Sequence, residues 1–139
     1  MQELTSITQF EHLKTAFAEN KSWDAQYRLI IQLGKVLTPF PAHLKIESNQ
    51  VKGCESKAWL TYSEQQGLYT FIMDSDTRVV KGLMRIVTII FNNKTAQEIA
   101  LIDCDELFAQ LGLLNHLSPS RSNGLFTIIN TIKGVNHLD

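Results

Sequence analysis

The chain is poor in cysteine, proline and glycine, with two, three and seven among 139 residues. Two cysteines, Cys54 and Cys104, fall far short of the disulfide framework that staples a small secreted domain. With so few prolines and glycines there is no linker-like stretch, and no internal repeat or low-complexity tract interrupts the chain. It therefore reads as one domain over residues 1–139, long enough to bury a core of its own. Long hydrophobic runs are absent too. The greasiest stretch, from Ile86 to Phe91, is far too short to span a bilayer. The opening MQELTSITQF has no basic segment followed by an apolar run, unlike a signal peptide. These absences predict a cytoplasmic protein with reduced thiols and no membrane association. Nor is there an excess of one charge: 13 lysines and arginines face 14 acids, a net −1, and the basic residues are scattered. That balance argues against a nucleic-acid partner.

Several chemistries are missing as well. No glycine-rich loop is followed by Lys-Ser or Lys-Thr, so there is no phosphate cradle. No C-x-x-C is present, and His12, His43, His116 and His137 are scattered without ligand spacing. No metal site and no resident cofactor is predicted. A Cys/His hydrolase lacks a nucleophile motif and a carboxylate to orient the base.

What is there is a clear change of hydrophobic period along the chain. Thr8 and Glu11 have capping-box spacing ahead of Phe10, Leu13 and Phe17, which fall on one helical face. Ser22 is placed to cap a second helix carrying Trp23, Tyr27, Ile30, Gly34 and Leu37, which Pro39 and Pro41 then stop. The middle alternates: Ala58, Leu60 and Tyr62 in one run, Tyr69, Phe71 and Met73 in the next, joined by SEQQG as a hairpin. Residues about Val51 supply a further short strand leading to Cys54. Helix resumes after Asp74, Ser75 and Asp76, all candidate caps, with Val79, Val80, Leu83, Ile86, Val87, Ile90 and Phe91 as a wide apolar face. Thr95 and Glu98 form a second capping-box match, and a short helix from DCDE ends at Gly112. Ser118 and Pro119 open a last helix through Leu125, Ile128, Ile129, Ile132 and Val135. Helices, a small antiparallel sheet of about three strands, then helices make an α+β fold.

The most unusual stretch is VKGCESKAWL, residues 51–60. Cys54 sits in a connection just before a strand. Gly53 allows a tight backbone, and Lys52 and Lys57 favour the thiolate, the nucleophilic form of cysteine. The same residues also fit a small packed thiol beside solvated lysines, so the stretch alone leaves the two readings balanced. Cys104, between Asp103 and Asp105, reads as structural, because adjacent negative charge raises a thiol pKa. Arg121 near a helix start opposes the macrodipole and needs a carboxylate partner or an anion. Trp59 belongs to the sheet that holds the loop.

Three motifs in series, VKGCESKAWL, DSDTRVVKGL from Asp74 and LSPSRSNGL from Leu117, resemble those of the SufE family, in its order and spacing. The resemblance covers the chain from the Trp23 helix to the last helix. It implies a small antiparallel sheet flanked by helices, and a sulfur acceptor of iron–sulfur cluster assembly rather than an enzyme. By that resemblance Cys54 takes persulfide sulfur from a PLP-dependent cysteine desulfurase of the SufS or CsdA kind. The PLP belongs to the partner, and the acceptor stimulates it before passing sulfur to a scaffold. Lys52, Gly53, Glu55, Asp74 and Arg121 would support the thiol or face the partner. Two other roles are a cluster scaffold, which would need about three converging ligands, and a purely allosteric desulfurase-binding module.

Overall fold

The computed structural model describes residues 7–52, 57–113 and 117–134, and of residues 120 and 121 the backbone alone. Two helices come first, α1 (Phe10–Glu19) and α2 (Trp23–Lys35), then two 3-10 turns, Ala42–Leu44 and Glu47–Asn49. A hairpin of β1 (Ala58–Gln65) and β2 (Leu68–Ser75) follows. The chain closes with α3 (Arg78–Phe91), α4 (Ala96–Leu101), α5 (Cys104–Leu111) and α6 (Pro119–Lys133). The class is α+β, as the period change predicts.

Local chemistry explains most element ends. Ser22 Oγ accepts from the Ala25 N–H at 3.1 Å, the N-cap bond expected of it. Thr95 and Glu98 make both bonds of their capping box, at 3.1 and 3.0 Å. Asp103 caps α5, and Gly112 ends it in the left-handed conformation at φ 75°. The hairpin turns through Gln66 (φ 55°) and Gly67 (φ 82°), the pair of positive φ values that a two-residue turn of this hand requires.

The first helix begins differently from its spacing. Its N-cap is Gln9 rather than Thr8, because His12 Nδ1 accepts from the backbone N–H of both Thr8 (3.2 Å) and Gln9 (3.3 Å). The buried side of α2 is also rotated from the expected stripe. Gln26, Leu29, Ile30, Leu33 and Gly34 face inward, while Tyr27 is exposed and stands edge-on to Trp23. Close packing decides this. A Cβ on Gly82 would land on the Ile30 carbonyl oxygen, and one on Gly34 would stand 2.9 Å from the Gly82 nitrogen. The two backbones touch, so the faces bearing these glycines must meet.

α3 forms the middle of the core, touching α1, α2, α6 and β2. Its Leu83, Met84, Ile86, Val87 and Phe91 are all but inaccessible to solvent. Tyr69, Phe71 and Met73 pack from the inner face of β2. Among the described residues the sheet has two strands rather than about three. The segment ahead of Cys54 contributes a single antiparallel bridge, Gln50 to Trp59, because the 3-10 turn ending at Asn49 leaves no length for a strand. On the far edge the chain after α3 does similar work: Tyr69 bridges Lys94, and Asn92 Oδ1 accepts from the Phe71 N–H at 2.8 Å.

Candidate functional site

The segment carrying Cys54 is fixed at both ends by the sheet. On the incoming side the Val51 N–H donates to the Ala58 carbonyl at 2.8 Å, which ties the chain ahead of the segment to the start of β1. On the outgoing side the Lys57 carbonyl accepts from Ser75 Oγ at 2.8 Å and from the Asp76 N–H at 3.3 Å. Ser75 Oγ in turn accepts from the Thr77 N–H at 3.2 Å, so the loop base, the end of β2 and the start of α3 meet at one place. Cys54, Gly53 and Glu55 themselves lie outside the described residues.

Asp74 is the organising charge beside this base. Strand pairing sets it opposite Trp59. Its carboxylate accepts from Lys45 Nζ at 2.7 Å and stands 3.6 Å from Lys81 Nζ, with 16% of the side chain exposed. Lys45 Nζ also lies 5.0 Å from the centroid of the Trp59 ring, a cation–π contact. Burial on its own would raise the Asp74 pKa. The Lys45 hydrogen bond, the Ser75 backbone and the charges of Lys45 and Lys81 outweigh it, and hold the carboxyl below its ordinary value. Asp74 is thus an ion-pair hub rather than a helix cap. β2 runs on through Ser75, and the cap position of α3 falls to Thr77.

Lys52 lies in the turn after Val51, exposed, with its ammonium 3.8 Å from Glu47. Arg121 lies in the first turn of α6, where Pro119 is the first helical residue, and its side chain is outside the described residues. The structure therefore brings Asp74 to the base of the Cys54 segment and pairs it with two lysines that the sequence reading passed over. Lys81 was within reach, since it sits inside the DSDTRVVKGL motif. Lys45 gave no local signal, because only strand pairing carries Asp74 to it.

The second cysteine is of a different kind. Cys104 starts α5 at 4% exposure, in the wall of a cleft of about 470 Å³ between the α4–α5 junction and α6. Burial pushes its thiol up to about 12, with Asp105 and Asp103 adding to the rise and Lys133 opposing it. At neutral pH it is a protonated, packed thiol. Among the described residues no three His, Cys, Asp or Glu side chains converge as a metal site. No described helix is long and apolar enough to cross a membrane.

The sequence model described as "SufE: Fe-S metabolism associated domain" matches residues 11–135. The chain belongs to the SufE family. An uncharacterized SufE-like protein of Rhizobium meliloti is 39% identical over 131 residues, covering 91% of this chain and 94% of that one. A second, from Rhizobium etli, is 37% identical over 115 residues, covering 80% and 78%. The solution structure of a hypothetical protein from Thermus thermophilus superposes with a TM-score of 0.71 over 91% of this chain and 93% of that one. At 14% identity that likeness concerns the fold alone. Membership places this SufE chain in iron–sulfur metabolism.

Proposed function

We propose that this protein is the sulfur acceptor of a PLP-dependent cysteine desulfurase, with Cys54 as the residue that takes the sulfur. The observation that carries the reading is the burial of Cys104, one of the chain's two cysteines. Cys104 is buried and protonated, so in a family of iron–sulfur metabolism any cysteine chemistry falls to Cys54. Sheet anchoring at Val51, Ala58 and Lys57 supports it, because both flanks of the Cys54 segment are tied to a rigid scaffold, the kind of setting in which loops carry function.

The transfer is an exchange reaction. The Cys54 thiolate attacks the outer sulfur of the persulfide on the desulfurase. A new S–S bond forms, the donor's S–S bond breaks, and its electron pair leaves on the donor cysteine as thiolate. Oxidation level is conserved across the pair, so no external oxidant or reductant is needed. Cys54 ends as the persulfide, ready for a further acceptor in cluster assembly. A thiol next to it would discharge that persulfide, and Cys104, buried at the head of α5, is withheld from doing so.

Incubating the full chain with a cysteine desulfurase and cysteine, followed by intact-mass spectrometry, tests the reading. Wild type and Cys104→Ser gain one sulfur atom, and Cys54→Ser gains none. Equal loading of Cys54→Ser, an unloaded wild type, or full stimulation of the desulfurase by an unloadable Cys54→Ala overturns it. The last outcome would make the protein an allosteric module.

A further inference from the structure

The corner between α4 and α5 is tied down in a way that sulfur exchange does not require. α4 buries a single side chain, Ile99, and its last residue, Leu101, is 79% exposed. Little apolar contact therefore holds this helix in place. Thr95 and Glu98 satisfy its N-terminus, but the last carbonyls of a helix have no partner within it. They are met from α6. Lys133, the final residue of that helix, donates from Nζ to the Ile102 carbonyl at 2.5 Å, with the Ile99 and Ala100 carbonyls at 3.4 and 3.5 Å. A cation also suits the negative end of the α4 dipole.

The same ammonium stands at the cleft that Cys104 walls. Phe126, Ile129, Asn130 and Lys133 recur at intervals of three and four, so one face of α6 looks across the cleft at residues 100–105. Cys104 opens α5 two residues after the bonded Ile102 carbonyl. Further along α5, Phe108 and Leu111 are buried in the core and anchor that helix independently.

We propose that Lys133 is a latch: its ammonium pins the α4–α5 corner to α6, and losing that charge lifts the corner and uncovers Cys104 while the rest of the fold stays intact. Cys104 is then a conditional thiol, closed by one charged contact. The latch is independent of the sulfur-acceptor reading and stands whether or not Cys54 takes sulfur.

Two effects of removing the charge have opposite signs. The nearby ammonium favours the thiolate, so its loss alone leaves less thiolate and slows alkylation. Opening the corner exposes the thiol and speeds alkylation. The direction of the change separates them.

Alkylation of the full chain by iodoacetamide in the Cys54→Ser background, at about pH 8 and across low urea concentrations, tests the latch. Lys133→Met labels about tenfold or more faster than its parent. Its rate changes little with urea, as for a local opening that exposes little surface. Asn130→Ala, which trims the same face of α6 and keeps the ammonium, labels at the parent rate. An unchanged or slower rate in Lys133→Met overturns the latch. So does a faster rate that climbs with urea as steeply as global unfolding followed by circular dichroism, and so does equal acceleration by Asn130→Ala. A Lys133→Met chain that does not fold overturns it as well, because Lys133 then supports the whole fold rather than the corner.

Discussion

Lys45 donates to Asp74 at 2.7 Å, joining the turn that leads into the Cys54 segment to the strand on which that segment's exit is pinned. Neither residue is in a helix, so no spacing rule sets the pair. It exists because β1 and β2 pair in a register that puts Asp74 opposite Trp59, under the reach of Lys45.

The pH dependence of this pair follows from the sign of the Asp74 shift. Its folded pKa lies below the ordinary carboxylate value. The stabilisation is therefore present in full above that ordinary value and is lost as pH falls through the lower, folded pKa. Asp74→Asn keeps the shape and removes the charge. We expect it to cost about 1 kcal/mol at neutral pH, after allowing for solvent screening of a partly exposed pair. Thermal melts of wild type and variant should converge as the pH is lowered below the ordinary carboxylate value and through the lower, folded one. A gap that stays constant with pH would show that the carboxylate's charge does not stabilise the fold.

The glycine contact between α2 and α3 makes a sharper stability prediction. In Gly82→Ala the new methyl meets the Ile30 carbonyl, a backbone atom that cannot step aside. The helices must separate, at a cost of about 3 kcal/mol. Gly67→Ala is the control. Its Cβ meets nothing within 4 Å, and only the positive φ of 82° is strained, a cost of about 1 kcal/mol. Urea unfolding of both variants checks the order. Gly82→Ala as stable as Gly67→Ala would contradict the close approach.

The two cysteines should separate by reactivity. In Cys54→Ser the remaining thiol, Cys104, is buried and has its pKa raised to about 12. Alkylation at about pH 8 should therefore proceed only on unfolding, since the thiolate is the reactive form. Labelling of the native Cys54→Ser protein at the rate of a free thiol would refute this, and with it the exclusion of Cys104 from sulfur transfer.

Much of this protein is legible where the physics is local. Ser22, the Thr95–Glu98 box, Asp103, Gly112 and Pro119 act within one turn of chain, and each marks the helix end its sequence suggests. Alternation in β1 and β2 and the Gln-Gly turn give the hairpin in the same way. The apolar face of α3 is read correctly because it is wide enough for a small rotation not to matter. The narrower α2 is misread in part. Its inward side is chosen by backbone contact with Gly82, and that contact exposes Tyr27 and buries Gln26. Glutamine is a residue that no hydrophobic stripe nominates. Likewise the His12 cap needs the imidazole's second use as an acceptor, which residue spacing does not reveal.

By itself, then, the sequence determined the α+β order, most of the helix ends and the hairpin, and its three motifs marked the SufE family. These depend on neighbours in the chain and on residue types, both written in the order of letters. Only the tertiary structure decided that Asp74 joins Lys45 and Lys81 rather than capping α3, that the strand ahead of Cys54 shrinks to one bridge, and that Cys104 is buried. Each depends on segments distant in the chain coming into contact. Burial and charge pairing are properties of the packed surface, and no single segment carries them.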